Sequence, residues 1–221
     1  LVGSEMCIRD SSYSESFLPR SGEQFKSLSA SSAALDPDVY ESTEIGVKVD
    51  ISDDLSFTAA VFESEQTVAS KDDVTGEDVD IKGLTVDGFE AELKGNLTDK
   101  FSLVAGFTAM DGETSSGGEP REIPDQMLTL YGTYEISDKA GVAFGFTKQG
   151  ESNIKNNKPD LILPSYTRFD IAAYYNISDD LVLRFNVENL TDELYFPHSH
   201  STHQASVGEE KNVRVSISKK F

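Results

Sequence analysis

The chain has 221 residues, a net charge of −20 and 38% hydrophobic residues, with a mean hydropathy of −0.35. No stretch approaches the roughly 18–20 continuous apolar residues of a transmembrane helix, and the acidity speaks against nucleic acid as a partner, since phosphate binding needs clustered Lys and Arg. The low hydropathy does not exclude a membrane, because barrel strands hide their apolar residues at every second position.

Residues 1–10 read LVGSEMCIRD and hold the only cysteine, Cys7, so no internal disulfide can form. A secretory signal would show a basic stretch followed by an apolar run, and neither is visible here. The segment fits nothing after it. It is expected to be a non-native leader, with 11–221 forming one domain.

One tetrapeptide pattern then recurs: Ile51-Ser52-Asp53-Asp54, Leu97-Thr98-Asp99-Lys100, Ile136-Ser137-Asp138-Lys139 and Ile177-Ser178-Asp179-Asp180, at spacings of 46, 39 and 41 residues. Such a period marks a repeated supersecondary unit, and Ser or Thr followed by Asp is turn chemistry. Ile45, Val47 and Val49 lead into the first turn, and Leu55, Phe57, Ala59 and Val61 leave it. The second lies between Phe89, Ala91, Leu93 and Phe101, Leu103, Ala105, Phe107. The third lies between Leu128, Leu130, Tyr134 and Val142, Phe144, Phe146; the fourth between Phe169, Ile171, Ala173, Tyr175 and Leu181, Leu183, Phe185, Val187. Apolar residues at period two predict strands with one apolar face, so each unit is a hairpin. Connections rich in Gly, Asp, Ser, Pro and Asn, at 67–83, 111–124, 151–165 and 191–210, join the hairpins.

The predicted fold is all-β: an antiparallel up-and-down transmembrane β-barrel, present as a C-terminal portion of about ten strands with short periplasmic turns and long extracellular loops. The competing fold is a soluble sandwich or propeller. Strands there average about 5–6 residues, shorter than these. The opposite parity is also wet, carrying Glu44, Lys48, Glu90, Glu92, Lys94, Arg168, Asp170, Arg184 and Glu188. Tyr40, Tyr131, Tyr134, Tyr166 and Tyr195 are expected near strand ends, as in an interfacial girdle.

At the end of the chain Val213, Val215, Ile217 and Phe221 share one parity, and Arg214, Ser216 and Ser218 the other. A strand ending in phenylalanine resembles the signal read by the outer-membrane assembly machinery. Lys219 departs from it, standing where that signal has an apolar residue, although lysine can snorkel at a membrane edge.

No enzyme constellation is present: there is no G-x-S-x-G, no glycine-rich phosphate loop and no H-E-x-x-H. The chain is read as a non-enzyme with no resident cofactor or metal. All three histidines, His198, His200 and His203, fall in the 191–210 connection. Clustered imidazoles can ligate a transition metal or haem iron. Their spacing fits no specific zinc pattern, so a ligand-lining or solvated loop is the preferred reading.

Three stretches resemble the TonB-dependent siderophore receptors. Tyr13-Ser14-Glu15-Ser16-Phe17-Leu18-Pro19-Arg20-Ser21-Gly22 is similar to the family's Y-S-x-S-F-x-P-x-x-G segment. Pro120-Arg121-Glu122-Ile123-Pro124, ahead of Tyr131, resembles a strand start in the same family. The most specific runs from Tyr166-Thr167-Arg168-Phe169-Asp170 to Asn186-Val187-Glu188-Asn189-Leu190-Thr191-Asp192-Glu193-Leu194-Tyr195, close to G-Y-x-x-x-D, a strand, then N-V-x-N-L-x-D-x-x-Y. The resemblance implies a plugged barrel of about 22 strands whose plug and energy-coupling box lie upstream of residue 1. It implies four partners: a ferric siderophore as cargo, the TonB energy-coupling complex reached through that plug, the assembly machinery and the lipid bilayer. Haem, cobalamin or a glycan on the same machine is an alternative cargo, and a passive porin an alternative function. By location, Phe17, Arg20, Tyr40, Arg121, Tyr166, Arg168, His198, His200 and His203 are the candidate ligand contacts. A partial barrel leaves two open edges and is expected to aggregate or fail to insert alone.

Overall fold

The computed structural model describes residues 7–18, 36–199 and 201–220. The strands are β1 (Cys7–Leu18), β2 (Asp38–Ser52), β3 (Leu55–Lys71), β4 (Asp78–Thr98), β5 (Phe101–Thr114), β6 (Gln126–Ser137), β7 (Ala140–Gln149), β8 (Ser152–Asn153), β9 (Ile162–Leu163), β10 (Tyr166–Ser178), β11 (Leu181–Glu188), β12 (His198–Ser199), β13 (Ala205–Ser206) and β14 (Asn212–Lys219). Ten of them form one sheet in the order β1-β2-β3-β4-β5-β6-β7-β10-β11-β14, with β8-β9 and β12-β13 as small hairpins in the long loops. Every neighbouring pair is antiparallel, an open up-and-down meander, as the alternation predicts.

The register carries one apolar face across the sheet. Val49 opposes Phe57, which opposes Leu93, and the row continues through Ala105, Leu130 and Phe146 to Phe169. A second row joins Ile171, Val187 and Val213. The other face carries Lys48, Thr58, Glu92, Gly106, Thr129, Thr147 and Arg168 in one row. A one-residue slip in any ladder would mix the two faces.

Apart from Val187, which is 6% exposed, the apolar face lies largely open among the described residues: Val61 is 55% exposed, Phe144 41% and Val215 62%. A sandwich would bury such a face against a second sheet about 10 Å away. A single layer with one apolar and one charged face fits hydrocarbon on one side and a polar interior on the other. Among the described residues no helix is long and apolar enough to cross a membrane.

The four repeated tetrapeptides are the tight turns. At each, the ladder shifts register and skips one residue: Ile51, Leu97, Ile136 and Ile177 are the bulged positions. Bulges gather at barrel rims, where they sharpen the bend. The hydroxyls of Ser52, Thr98 and Ser137 accept from the backbone N–H of Asp54, Lys100 and Lys139, at 3.4, 3.3 and 3.3 Å. The last residue of each motif also ties its turn to the next strand. The Asp54, Lys100, Lys139 and Asp180 carbonyls accept from Asn96, Glu135, Asn176 and Lys220 N–H at 2.7–2.9 Å.

The opposite rim differs from expectation in two places. The 67–83 connection shrinks to 72–77, because β3 and β4 stay paired from Thr67–Lys82 to Lys71–Asp78 beyond a register shift. β5 likewise reaches Thr114. Charged Lys71, Asp80 and Lys82 interrupt the apolar stripe there, so hydropathy marks the end of the apolar band and not of the strands. The tyrosines also divide. Tyr134 lies on the apolar face beside the short turns, opposite Phe101 and Val142, as does Tyr175. Tyr131 lies mid-strand on the polar face opposite Val104 and Gly145, so it is no girdle residue.

β1 begins at Cys7, within the expected leader. Its phase there is inverted: Arg9 opposes Val47 on the apolar face, and Ile8 opposes Lys48 on the polar one.

Candidate ligand site at the long-loop rim

β10 starts at the long-loop rim and points Tyr166, Arg168 and Asp170 to the polar face, in register with Gln149, Thr147 and Gly145 of β7. The Arg168 guanidinium grips Asp170 through Nε and Nη2 at 2.9–3.1 Å. Its Nη1 donates to the Tyr195 hydroxyl at 3.1 Å. The Tyr195 ring packs on Tyr166 with centroids 4.6 Å apart, and Tyr166 donates to Gln149 Oε1 at 3.3 Å. Arg168 thus meets its acceptors inside the protein.

Asp170 also accepts the backbone N–H of Asn189 at 2.8 Å. Asn189 is 1% exposed and left-handed at φ 49°, a conformation asparagine tolerates better than most residues. Its side chain donates to the Glu193 and Glu209 carbonyls and accepts from Glu193 N–H, each at 2.9 Å. Asp192, at φ 56°, accepts from Lys211 N–H at 2.9 Å. Gly208 donates to the Tyr195 carbonyl, and a Cβ there would run into the Tyr195 ring. The Asn189-to-Tyr195 signature therefore closes the two ends of the β11–β14 loop on each other and pins them to β10.

The two loops beside it are stitched together by asparagines. Asn153, 6% exposed, donates to Glu119 at 2.6 Å. Asn156 accepts from Arg121 N–H at 2.8 Å. Asn157, at φ 57°, exchanges hydrogen bonds with Thr114 and Ser116 at 2.7 and 2.8 Å. Between these loops lies a cavity of about 260 Å³ lined by Asp111, Glu119, Asp125, Glu151 and Asn153, smaller than the range of about 300–1,000 Å³ usual for organic ligands.

The remaining candidates fall out as follows. Phe17 opposes Val39 on the parity of the apolar face, turned away from the polar side. Tyr40 lies on the polar parity and accepts from Gln66 at 2.9 Å. Arg121 is exposed and bridges to Asn153. His198 and His203 are exposed on the β12–β13 hairpin. Arg20, His200 and Phe221 lie outside the described residues, whereas Val213, Val215 and Ile217 are exposed on the apolar face of β14. The structure brings together Tyr166 and Arg168, and by way of loop contacts Arg121 and the histidine hairpin; Phe17 and Tyr40 sit at the other end of the sheet. No group of three or more His, Cys, Asp or Glu among the described residues could hold a metal ion.

The family description TonB dependent receptor-like, beta-barrel, matches residues 9–190. The chain belongs to this family. TonB-dependent receptors similar to it include the probable siderophore receptor PiuA of Acinetobacter baumannii, 29% identical over 90% of this chain and 29% of the relative. The crystal structure of PiuA superimposes with a TM-score of 0.82 at 27% identity, covering 97% of this chain and 34% of that one. The ferripyoverdine receptor of the outer membrane of Pseudomonas aeruginosa, bound to ferripyoverdine, gives a TM-score of 0.81 at 27% identity, covering 100% and 32%. The chain thus spans less than a third of the curated relatives it matches, as one stretch of an outer-membrane barrel wall.

Proposed function

We propose that this chain forms part of the wall and outer rim of a receptor that takes up a ferric siderophore, energised by the TonB system through a plug encoded upstream. The observation carrying this reading is the likeness of the whole ten-stranded sheet, at 27% identity, to PiuA and the ferripyoverdine receptor. In this reading the short turns face the periplasm, the long loops face outward, the apolar face meets lipid and the polar face lines the lumen. Phe17 then faces the wrong way for a ligand contact. Tyr166 and Arg168 shape the rim, and Arg121 and the histidine hairpin are the exposed candidates. The residue 1–10 segment is read as a non-native leader, on the inverted phase of Ile8 and Arg9, which resequencing the locus tests.

The functional test is uptake of ⁵⁵Fe carried by ferrioxamine B and by pyoverdine, in cells whose only siderophore receptor is the full-length protein, with and without TonB. Saturable, TonB-dependent uptake of either supports the proposal. Entry that is unsaturable and independent of TonB identifies a porin and overturns it. TonB-dependent growth on haem or cobalamin alone overturns the cargo assignment.

A further inference from the structure

Glu122 sits where three long loops meet. Its backbone N–H donates to the Asn153 carbonyl at 2.8 Å, joining the β5–β6 loop to the β7–β10 loop. Its carboxylate accepts the backbone N–H of Ser199 at 2.8 Å, joining both to the β12–β13 hairpin that carries the histidines. Glu122 holds φ at 59°, a left-handed conformation uncommon for a glutamate and costly in backbone strain. Ser199 is 5% exposed, yet its Oγ finds no hydrogen-bond partner among the described residues. Besides its pairing with Ala205, Ser199 is thus held through its backbone bond to Glu122, which a carboxylate acceptor makes a charge-assisted one.

We infer that Glu122 is a positioning residue that seats the histidine hairpin on the asparagine-stitched platform, so that the three loops present one surface to cargo. The inference rests on the uptake reading above. Its strained backbone is the cost of aiming the carboxylate sideways into the neighbouring loop. Glycine suits that backbone, so Glu122→Gly removes the tether while leaving the platform conformation accessible. Glutamine keeps an acceptor oxygen at the same reach, so Glu122→Gln should preserve the seat.

The test uses the full-length receptor, without other cysteines, carrying a nitroxide at Gln204→Cys on the hairpin or at Lys155→Cys on the platform. In Glu122→Gly the label at 204 should become markedly more mobile while the label at 155 is unchanged. In Glu122→Gln both should match the parent. For whichever of ferric ferrioxamine B and ferric pyoverdine the parent transports, KM should rise severalfold in Glu122→Gly with Vmax within twofold, and Glu122→Gln should restore KM. An unchanged label at 204 in Glu122→Gly overturns the seat. So does equal loosening at 155 and 204, or a Gln variant as loose as the Gly one. A mobile hairpin with unaltered KM overturns its role toward cargo. Failure of the parent to transport either probe bears on the uptake reading alone, since the nitroxide result does not depend on cargo.

Discussion

The backbone N–H of Asn189 meets Oδ1 of Asp170 at 2.8 Å, tying the end of β11 to the outer end of β10. Asn189→Ala would remove three side-chain hydrogen bonds and force alanine to φ 49°. At about 0.5–1.5 kcal/mol per bond, plus about 1 kcal/mol of backbone strain, the expected loss is roughly 2.5–5.5 kcal/mol. Asn189→Gly relieves the strain only and should lose less. Urea unfolding of the full-length receptor in detergent micelles measures both.

Tyr195 contributes a buried ring and a hydroxyl that accepts from Arg168. Tyr195→Phe keeps the ring against Tyr166 and should cost about 1 kcal/mol. Tyr195→Ala opens a cavity and should cost about 3–5 kcal/mol. A double-mutant cycle with Arg168→Ala should show coupling in the first case, because the hydroxyl's donor lies on that side chain.

The two faces of β7 should respond unequally to charge. Phe144, opposite Gly132 and Ile171 on the apolar face, should cost about 2–4 kcal/mol when changed to Arg. Ala143, opposite Thr133 and Ala172 on the polar face, should accept Arg at much smaller cost. The comparison is made by refolding each full-length variant into lipid vesicles and titrating with guanidinium.

The tip of the β3–β4 hairpin should loosen only in strong acid. Asp72 accepts from Thr75 N–H, Val74 N–H and the Thr75 hydroxyl. These bonds, led by the Thr75 backbone, hold its carboxyl below the usual aspartate range. The order they impose is therefore fully present above the ordinary aspartate pKa and is lost as pH falls through the depressed one. Amide exchange at Val74 and Thr75 should accelerate across that acidic window, and Asp72→Ala should abolish the dependence.

Much of the fold was legible because period-two alternation and Ser/Thr-Asp turns are local signals. The ends of β3 and β4 were not, since the ladder continues past residue 66 although the pattern of the apolar face is interrupted there by Lys71, Asp80 and Lys82. The bulge at Ile51 and its three counterparts was hidden in plain view: the hydrophobe of each repeat looks like one more strand residue until register is known. At the rim, the Asn189-to-Tyr195 signature was legible as a family mark. Its work as a lock was not, since it needs Asp170, Gly208 and Glu209 to converge. Asparagine tolerates the left-handed backbone found at Asn157, but the residue type alone does not say which position will use it. The Pro120–Pro124 stretch was legible as a family mark, but nothing local marks Glu122 as a tether, since its partner Ser199 lies 77 residues away.

The most direct measurement is oxygen accessibility of nitroxides placed one at a time from 182 to 185 along β11, in the full-length receptor in lipid vesicles. Positions 183 and 185 should show high oxygen collision rates, as lipid-facing sites do, with 182 and 184 low. A flat profile, or the inverse alternation, would contradict a barrel wall with its apolar face in the bilayer.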